Sequence, residues 1–511
     1  MTAGPRTIAE LLEFGAADTT ALSAPDGGVP LTYAALRTVV AEAGAALASR
    51  RVGANDRVAI VLENGPEMAA AFLAVAAAAT AAPLNPGYRA EEFEFYLSDL
   101  GAKLLLVEHD RPTPAVEVAA RLGVPLVRLV PTPTRGAGSF RLEFPPDASP
   151  GPPATQSHAT PDDIALVLHT SGTTSRPKIV PLAHRNLCAS AGNVRASLRL
   201  GPSDRGLGIM PLFHIHGLVA ALLAPLSAGG EVCCTRGFNA LKFFSWLRDV
   251  SPSWYTGVPT MHQTILARAA RNPEAIETSR LRFIRSSSAS LPATVLLDLE
   301  RVFGVPVIEA YGMTEAAHQI ASNPLPPGPR KPGSVGVPAG PAIRIFSDQG
   351  TPVPAGDAGE IVIRGGNVMT AYERNPEANA SAFVDGWFRT GDQGTMDAAG
   401  YLTITGRLKE IINRGGEKIS PREVDEILLE HPAVLQCVTF AMPHPMLGED
   451  VAAAVVLREG QAADPDELRR FVAGRVADFK VPRKILILPE IPMGATGKLQ
   501  RIGLASKLGL G

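Results

Sequence analysis

The chain has 511 residues, which is longer than one hydrophobic core usually supports, so the sequence predicts at least two domains. Hydrophobic residues make up 46% of the sequence and charged residues 19%, which is typical of a globular protein. The formal net charge of −2 argues against nucleic acid and against an anionic membrane surface as partners.

Four cysteines are present, and two of them, Cys233 and Cys234, are adjacent. This spacing fits neither a zinc site nor an ordinary disulfide framework, so we expect buried free thiols in a reducing compartment. Residues 1–6 are not followed by an apolar core, so we expect no secretory signal and a cytoplasmic location. The alanine-rich stretch 68–83 is too short to span a bilayer and predicts a buried helix, so no integral membrane segment is expected.

Helical and strand patterns alternate through the first 160 residues. This alternation predicts a parallel sheet covered by helices. A stretch rich in Pro, Gly, Ser and Thr, 131–161, predicts a surface connection. The predicted helices are 7–14, 33–49, 67–80 and 91–100, and the predicted strands are 58–62, 82–84 and 104–107.

A loop of hydroxyls and glycine follows the strand predicted over 164–168. Such a loop can turn several N–H groups and hydroxyls toward one anion, and a lysine beside it adds charge, which suits a polyphosphate. The Walker pattern does not fit because the loop lacks a glycine–lysine pair, and a polar surface turn is the common alternative for such a cluster taken alone. The loop residues are Thr170, Ser171, Gly172, Thr173, Thr174 and Lys178.

Three later polar loops, 211–217, 285–292 and 311–315, also stand at strand ends, and the strands before the last two are predicted over 281–284 and 306–310. Because the carboxyl ends of parallel strands meet at one sheet edge, where ligands bind, we expect the three loops to share a site.

The pattern changes over 330–405 to short β-runs separated by Gly and Pro, which predict a small β-barrel or an antiparallel sheet. The last hundred residues predict a compact α+β unit. It begins with a hairpin that has Gly415 and Gly416 at its turn, followed by a helix over 421–431 with Ser420 as N-cap and Glu423 at position N3.

Taken in order, these motifs resemble the adenylate-forming superfamily of acyl-CoA synthetases, luciferases and adenylation domains. Residues 170–178 are similar to that family's phosphate loop, and 311–315, Tyr-Gly-Met-Thr-Glu, to its second ATP motif. The resemblance covers nearly the whole chain. Further positions that match are the ribose-binding Asp392 and Arg407, the hinge Lys409 and the catalytic Lys498.

The resemblance implies an α/β fold with a large N-terminal AMP-binding domain, residues 1–408, made of two helix-flanked, mainly parallel sheets and a small β-barrel. A small mobile α+β domain, residues 409–511, would carry the catalytic lysine. Ser175 and Ile179 replace glycines that are usual in the phosphate loop, so the shape of that loop is left open.

The resemblance also implies a reaction in two halves. A carboxylate attacks the α-phosphate of MgATP, giving an acyl-adenylate and pyrophosphate, and the thiol of coenzyme A then attacks the adenylate carbonyl. Thr314 would bond the α-phosphate beside Tyr311 and Gly312, and Glu315 would hold Mg²⁺, a cation that prefers oxygen ligands. Lys498 would bridge the two anions that must approach each other.

Lys409 would let the small domain rotate, so that Lys498 faces the site for adenylation and the glycine hairpin faces it for thioester formation. Gly415 and Gly416 would let a pantetheine arm pass close to the backbone. An ordinary hairpin turn requires glycine at the same positions, so the two interpretations coexist.

Residues 318–336 and 284–291 resemble the oxalate–CoA ligase branch of plants and fungi. A dicarboxylate presents a second anion that needs donors, whereas a fatty-acid tunnel would leave such donors unpaired. His214 also matches the family position that lines the thiol tunnel. The candidate donors are His214, Ser287, Ser288 and His318.

Three alternatives to a ligase for a small polar acid stay open. They are a ligase for fatty or aryl acids, a free-standing adenylation protein that loads a carrier protein, and a catalytically silent nucleotide-binding scaffold. The scaffold is disfavoured because Glu315, Asp392, Arg407 and Lys498 are all present. No pattern in the sequence indicates the oligomeric state.

Overall fold

The structure is a computed structural model, and it describes residues 4–145, 159–170, 177–492 and 500–510. The chain divides into two compact units, and it passes between them more than once. The first unit comprises Met1–Thr170, Lys178–Ala342 and Arg364–Ala380, and the second comprises Ser171–Pro177, Ile343–Ile363 and Ser381–Gly511. The domain limits 1–408 and 409–511 stay a prediction.

The β-strands are numbered in chain order. They are β1 (Thr20–Ser23), β2 (Leu31–Thr32), β3 (Arg57–Val61), β4 (Thr80–Pro83), β5 (Leu104–Glu108), β6 (Leu126–Pro131), β7 (Phe140–Glu143), β8 (Ile164–Thr170), β9 (Lys178–Ala183), β10 (Arg205–Gly208), β11 (Glu231–Cys234), β12 (Trp254–Gly257), β13 (Phe283–Ser286), β14 (Val307–Met313), β15 (His318–Ser322), β16 (Val337–Pro338), β17 (Ala342–Phe346), β18 (Gly359–Arg364), β19 (Phe383–Val384), β20 (Trp387–Met396), β21 (Leu402–Arg407), β22 (Ile412–Arg414), β23 (Glu417–Ile419), β24 (Val434–His444), β25 (Gly448–Leu457) and β26 (Lys484–Ile487).

The α-helices are numbered in the same way, and a π-helix, His216–Leu223, leads directly into α7. They are α1 (Ile8–Leu12), α2 (Tyr33–Ala48), α3 (Pro66–Ala78), α4 (Ala90–Leu100), α5 (Pro114–Leu122), α6 (His184–Leu198), α7 (Ala224–Leu226), α8 (Phe243–Val250), α9 (Pro259–Ala269), α10 (Pro273–Glu277), α11 (Ala293–Phe303), α12 (Pro376–Ala382), α13 (Pro421–Glu430), α14 (Pro465–Ala473) and α15 (Leu504–Lys507).

The first unit contains two mainly parallel sheets, which confirms the α/β prediction. One has seven strands in the order β7-β6-β5-β3-β4-β8-β9, and the other has nine in the order β16-β15-β14-β13-β12-β10-β11-β1-β2. Antiparallel pairs stand only toward the ends of each order, as in β8–β9 and β14–β15. The four helices and three strands predicted in the first 110 residues are all present, with no end shifted by more than two residues.

The stretch 131–161 was predicted to be a surface connection, and this is wrong for part of it. β7 lies within it and pairs antiparallel with β6, burying the Phe140 side chain. The strand has four residues in a segment dominated by turn formers, so its alternation of apolar and polar residues was too short to stand out.

The alanine-rich helix α3 confirms the buried helix predicted over this stretch. Pro66 occupies its first turn, where a missing N–H costs nothing, and every side chain from Met68 to Ala76 is at most 2% exposed. Among the described residues, no helix has the length and apolar character needed to cross a membrane.

The second unit contains two smaller sheets. Strands β17 to β21 form a five-stranded antiparallel sheet, which is one of the two forms predicted for this region. The C-terminal strands form another, in which β24 and β25 make a long hairpin and β26 adds to β25 in parallel. This α+β arrangement confirms the class predicted for the last hundred residues.

The cap predicted for the helix after residue 420 differs from the structure. The Ser420 hydroxyl does not cap α13 but donates to the Thr405 carbonyl oxygen, and Glu423 accepts hydrogen bonds from the Lys480 ammonium at 2.7 and 2.8 Å. A capping pattern in the sequence does not reveal that the side chains of Ser420 and Glu423 have hydrogen-bond partners on other elements of the fold.

The four cysteines, Cys188, Cys233, Cys234 and Cys437, are all free and buried, as predicted. Burial raises the pKa of the Cys188 thiol to about 12. Burial also raises the pKa of the Cys233 thiol to about 11, although a hydrogen bond with Ser23 lowers it in part. These thiols are therefore protonated at neutral pH and act as apolar core groups.

Gly312 lies where β14 and β15 approach closely, so a side chain at this position should lower the stability of the fold. A methyl group added there would lie 1.8 Å from the main-chain oxygen of His318. We expect Gly312→Ala to lower the free energy of unfolding by about 2 kcal/mol or more, because a backbone atom would have to shift. Urea unfolding followed by tryptophan fluorescence measures this.

Gly192→Ala, on α6, is the matched control for this substitution. A methyl group at Gly192 would meet nothing within 4 Å, so the helix should gain about 0.5–1 kcal/mol from the better helix former. If both variants unfold at the urea concentration of the wild type, the close approach of the two strands is not a constraint.

Candidate active site

The predicted phosphate loop starts and ends on one hairpin. Thr170, the last residue of β8, pairs in register with Lys178, the first residue of β9. The Lys178 ammonium lies 4.4 Å from the centroid of the Tyr372 ring. The remaining loop residues of the prediction, Ser171, Gly172, Thr173 and Thr174, and the variable position Ser175, lie outside the described residues.

The second ATP motif forms a tight reversal of the chain. Tyr311 and Gly312 lie near the end of β14, a 3₁₀ turn of Thr314–Ala316 follows, and His318 begins the antiparallel strand β15. The reversal is possible because Gly312 has no side chain opposite the His318 carbonyl group. It places Thr314 and Glu315 at the carboxyl end of a central strand, where ligands bind in such sheets.

Glu315 is 7% exposed, and both its carboxylate and its main-chain oxygen accept hydrogen bonds. The Tyr372 hydroxyl donates to its Oε1 at 2.8 Å, and the Glu315 main-chain oxygen accepts from the Met369 N–H at 2.8 Å. In the described part of the chain, no group of three or more His, Cys, Asp or Glu side chains could hold a metal ion alone. A single carboxylate such as that of Glu315 fits Mg²⁺, which typically takes one or two carboxylates and leaves its other positions to phosphates and water.

Asp392 and Arg407 stand opposite each other in the second unit. They are paired residues of β20 and β21, and the Arg407 Nε donates to Asp392 Oδ1 at 2.7 Å. The Asp392 N–H donates to the Thr390 hydroxyl, which itself donates to the Ile361 carbonyl. The structure thus joins the two predicted ribose residues and fixes the orientation of the carboxylate.

The predicted hinge and thiol-side residues also lie in the second unit. Lys409 is in a 3₁₀ turn, Leu408–Glu410, directly before the hairpin of β22 and β23. Gly415 and Gly416 make the turn of that hairpin with φ of +61° and +100°, values that favour glycine. Lys498, the predicted catalytic lysine, lies outside the described residues.

A buried arginine that the prediction did not include lies in the first unit. Arg285 is 0% exposed and belongs to β13, which extends two residues further than the predicted strand. Its two terminal nitrogens donate to His216 Nε2 at 3.3 Å and to His318 Nε2 at 3.0 Å. The imidazole rings stack with centroids 4.8 Å apart. One cation therefore contacts both histidines.

The charge of Arg285 has no carboxylate beside it among the described residues. Its other acceptors are the Thr256 hydroxyl and the Gln319 amide oxygen, each at 3.3 Å. Burial lowers the pKa of Arg285 to about 9, with no acidic side chain to oppose the shift. The guanidinium stays charged at neutral pH, and the fold bears the cost of desolvating it.

The guanidinium also sets the tautomer of each imidazole. Arginine can only donate, so Nε2 of His216 and Nε2 of His318 must accept, and each ring carries its proton on Nδ1. The His216 Nδ1 lies 3.0 Å from the Ser288 Oγ, to which it donates. Arg285 thus turns both rings into donors on their Nδ1 side.

Two of these residues also have strained backbone conformations. Ser288 has φ of +74° and His318 has φ of +98°, in a region that L-residues other than glycine rarely adopt. Strain of this kind persists where the surrounding structure enforces it, and it clusters at binding sites. The observation marks the Arg285 cluster, defined as Arg285, His216, His318 and Ser288, as a candidate site.

Two of the predicted acid-site residues have other described contacts. The Ser287 side chain is fully buried and donates to the Ala310 carbonyl oxygen at 2.9 Å, which is a structural hydrogen bond. His214 lies beside the Phe213 ring, with centroids 4.6 Å apart, and it is His216 that joins the Arg285 cluster. The histidine pair two residues apart was visible in the sequence, but which one faces inward depends on the π-helix that begins at His216.

The three strand-end loops 211–217, 285–292 and 311–315 come after or at the ends of β10, β13 and β14, which run parallel in the nine-stranded sheet, so the sheet edge predicted for them is confirmed. The strand that leads into the phosphate loop, β8, lies in the other sheet. The strand pattern is the same in both sheets, so the sequence alone could not assign β8 to one of them. Two functional candidates, Arg285 and Tyr372, were missed because only tertiary contacts distinguish them.

The comparison with known families is unambiguous. The AMP-binding enzyme family matches residues 14–373, and the AMP-binding enzyme C-terminal domain matches residues 423–498. The chain belongs to the AMP-binding enzymes, the adenylate-forming superfamily that the motifs resemble.

Similar proteins of named activity narrow the class of enzyme further. The chain is 46% identical over 504 residues to the oxalate–CoA ligase of Arabidopsis thaliana, with 97% of each chain covered. It is 38% identical over 503 residues to the sulfoacetate–CoA ligase of Cupriavidus necator, covering 98% of this chain and 97% of that one. The crystal structure of ATP-bound MatB from Rhodopseudomonas palustris is 29% identical, with a TM-score of 0.86 and 98% of each chain covered.

The protein is therefore an AMP-forming acyl-CoA synthetase, an acid–thiol ligase whose substrates are a carboxylate, ATP and coenzyme A.

The tautomers assigned above are directly testable. We expect ¹⁵N spectra of histidine-labelled protein to show His216 and His318 with the proton on Nδ1, and Arg285→Met to abolish that preference because the fixed donor is gone. His184 is the internal control. Its Nδ1 accepts from the Ile8 N–H at 3.2 Å, so it should carry its proton on Nε2 in both proteins. An Nε2-protonated His318 in the wild type would contradict the assignment.

Proposed function

We propose that the acid substrate is a small dianion, with oxalate the best candidate, and that Mg²⁺ accompanies ATP. The observation that carries the proposal is the buried Arg285 without a carboxylate partner among the described residues. The oxalate–CoA and sulfoacetate–CoA ligases to which the chain is similar are named for two-carbon acids with two anionic groups, and both names agree with this chemistry.

The charge argument favours a second anion on the substrate. One carboxylate of the acid must remain available to attack ATP, so the other needs its own donors. Arg285 is too deeply buried to make that contact and acts through the two imidazoles. The polarised Nδ1–H of His318 and the hydroxyl of Ser288, which is half-buried and already accepts from His216, are the donors that we assign to the second carboxylate.

An apolar acid would gain little from this arrangement. A hydrocarbon chain placed against the donors would leave polar groups unpaired, and each buried unpaired group costs about 1–3 kcal/mol. This cost disfavours the fatty and aryl acids, which the sequence left open as alternatives, relative to oxalate.

In the adenylation half, the free carboxylate oxygen of the acid attacks the α-phosphorus of ATP. The bond to the bridging oxygen breaks, and pyrophosphate leaves with the electron pair. We assign Thr314 to the α-phosphate, Glu315 to Mg²⁺, and Lys178 with the phosphate loop to the departing phosphates. Asp392 accepts from the ribose hydroxyls beside Arg407, whose contact with the carboxylate orients it.

In the second half, the sulfur of coenzyme A attacks the adenylate carbonyl, the thiol proton is lost to solvent, and AMP leaves. We assign the hairpin turn of Gly415 and Gly416 to the pantetheine side because side chains are absent there. Lys409 is assigned to the rotation that exchanges the two active arrangements.

A substrate panel tests the proposed acid. We expect pyrophosphate release, assayed with oxalate, malonate, acetate, octanoate and coumarate with and without coenzyme A, to be fastest with oxalate. In Arg285→Met, kcat/KM for oxalate should fall by about 10- to 100-fold while KM for ATP is retained, because a hydrogen bond to a charged group contributes about 1.5–3 kcal/mol.

Turnover of octanoate without turnover of oxalate would falsify the proposed substrate. The absence of turnover with any acid would instead favour the nucleotide-binding scaffold, and turnover that needs a carrier protein in place of coenzyme A would favour the loading function.

Lys498→Ala separates the two halves of the reaction. We expect adenylation to fall by about 10²- to 10³-fold, because a fixed cation no longer stabilises the two approaching anions. Conversion of supplied acyl-adenylate to thioester should survive, since that step needs no second anion at the α-phosphate. An equal loss of rate in both half-reactions would contradict the role proposed for Lys498.

A further inference from the structure

Tyr372 contacts two charged side chains that belong to different sequence motifs. Its hydroxyl donates to Glu315 Oε1 at 2.8 Å, and its ring centroid lies 4.4 Å from the Lys178 ammonium. Tyr372 itself is 8% exposed. A single buried side chain thus connects the acidic residue of the second ATP motif with the lysine that closes the phosphate loop.

The main chain of Tyr372 is clamped. The side-chain amide of Asn379, on α12, accepts from the Tyr372 N–H at 2.8 Å and donates to the Tyr372 carbonyl at 2.7 Å. These two hydrogen bonds fix the position of the Tyr372 main chain. We therefore expect the Lys178 and Glu315 side chains to take positions set by Tyr372.

Hydrogen bonds on either side of Tyr372 tie the same segment to both motifs. The Met369 N–H donates to the Glu315 carbonyl at 2.8 Å, and the Glu373 N–H donates to the Ile179 carbonyl at 3.1 Å. Ile179 directly follows Lys178 in β9. The segment 369–373 therefore attaches to β9 beside Lys178 at one end and to the turn that carries Glu315 at the other.

We propose that Tyr372 is a positioning residue that sets the placement of the Mg²⁺-binding carboxylate relative to the phosphate-loop ammonium. The inference rests on the proposed function, in which Glu315 holds Mg²⁺ and Lys178 contacts the departing phosphates. The hydroxyl occupies one carboxylate oxygen and orients the group for the metal ion. The electron-rich ring face holds the ammonium by a cation–π contact.

Two substitutions separate these contributions. Tyr372→Phe removes the hydroxyl and keeps the ring, whereas Tyr372→Leu removes both. The measurement is calorimetric binding of a non-hydrolysable ATP analogue to the full chain, with Mg²⁺ and with EDTA. The ratio of the two affinities reports the metal contribution, and the affinity in EDTA reports the lysine contribution.

For Tyr372→Phe we expect the gain in affinity from Mg²⁺ to fall by about tenfold, with the affinity in EDTA unchanged, because a hydrogen bond to a charged group is lost. For Tyr372→Leu we expect the same loss and, in addition, about a threefold weaker affinity in EDTA, because the cation–π contact is also gone. Thioester formation from supplied acyl-adenylate should be unchanged in both variants.

Tyr33→Phe is the matched control. The Tyr33 hydroxyl is also buried and donates to the Gly230 carbonyl at 2.7 Å, so its loss reports the general effect of removing a buried hydroxyl. We expect this control to lower the unfolding midpoint and to leave both affinities unchanged.

Glu315→Gln distinguishes failure of the inference from failure of the proposed function. If Glu315→Gln leaves the gain from Mg²⁺ intact, the metal role of Glu315 is wrong and the inference falls with it. If Glu315→Gln abolishes the gain but Tyr372→Phe does not change it, only the role of Tyr372 is overturned. If Tyr372→Phe and Tyr33→Phe reduce the gain in affinity from Mg²⁺ equally, the Tyr372 hydroxyl has only a structural role, and this result also overturns the inference.

Discussion

The close approach of β14 and β15 at Gly312 is the constraint on which the candidate site depends. The two strands reverse through one 3₁₀ turn, so Thr314 and Glu315, which we assign to the nucleotide, and His318, which we assign to the acid, stand within five positions of one another. The turn is fixed from outside as well, because the Asn367 side chain donates to the carbonyls of Ala316 and Gln319 at 2.8 Å each. The carboxylate that we propose for Mg²⁺ and the imidazole that we propose for the acid are thereby parts of one turn held at both ends.

The second feature that shapes the site is the cost of burying Arg285. A buried cation without a counter-ion opposes folding, and natural proteins keep such groups where function requires them. The seven- and nine-stranded sheets with their covering helices bury enough apolar surface to bear this cost. The positive φ angles of Ser288 and His318 are a further local cost at the same place.

Much of this organisation was readable from the sequence. The helix and strand periods predicted the sheets, and the two glycines predicted the hairpin. The family resemblance singled out Asp392 and Arg407 together, and the structure pairs them across β20 and β21. What could not be predicted depends on side-chain direction after folding. Arg285 looked like the first residue of a polar loop, but it is the third residue of a buried strand. His214 and His216 were equivalent in sequence until the π-helix directed His216 inward. Tyr372 lies in a segment with no chemical signature, and its importance comes only from the two charges that it contacts.

The division of the proposed acid site between two elements has a consequence for how such enzymes diverge. His318 shares its turn with Glu315, so substitutions there risk disturbing nucleotide binding. Arg285 and Ser288 lie on and just after β13, a neighbouring strand that carries none of the assigned nucleotide residues. New acid preferences can therefore arise by changes in and after β13 while the chemistry that is common to all substrates stays intact. Selection for a new substrate, in nature or in the laboratory, has its least constrained starting point at that strand.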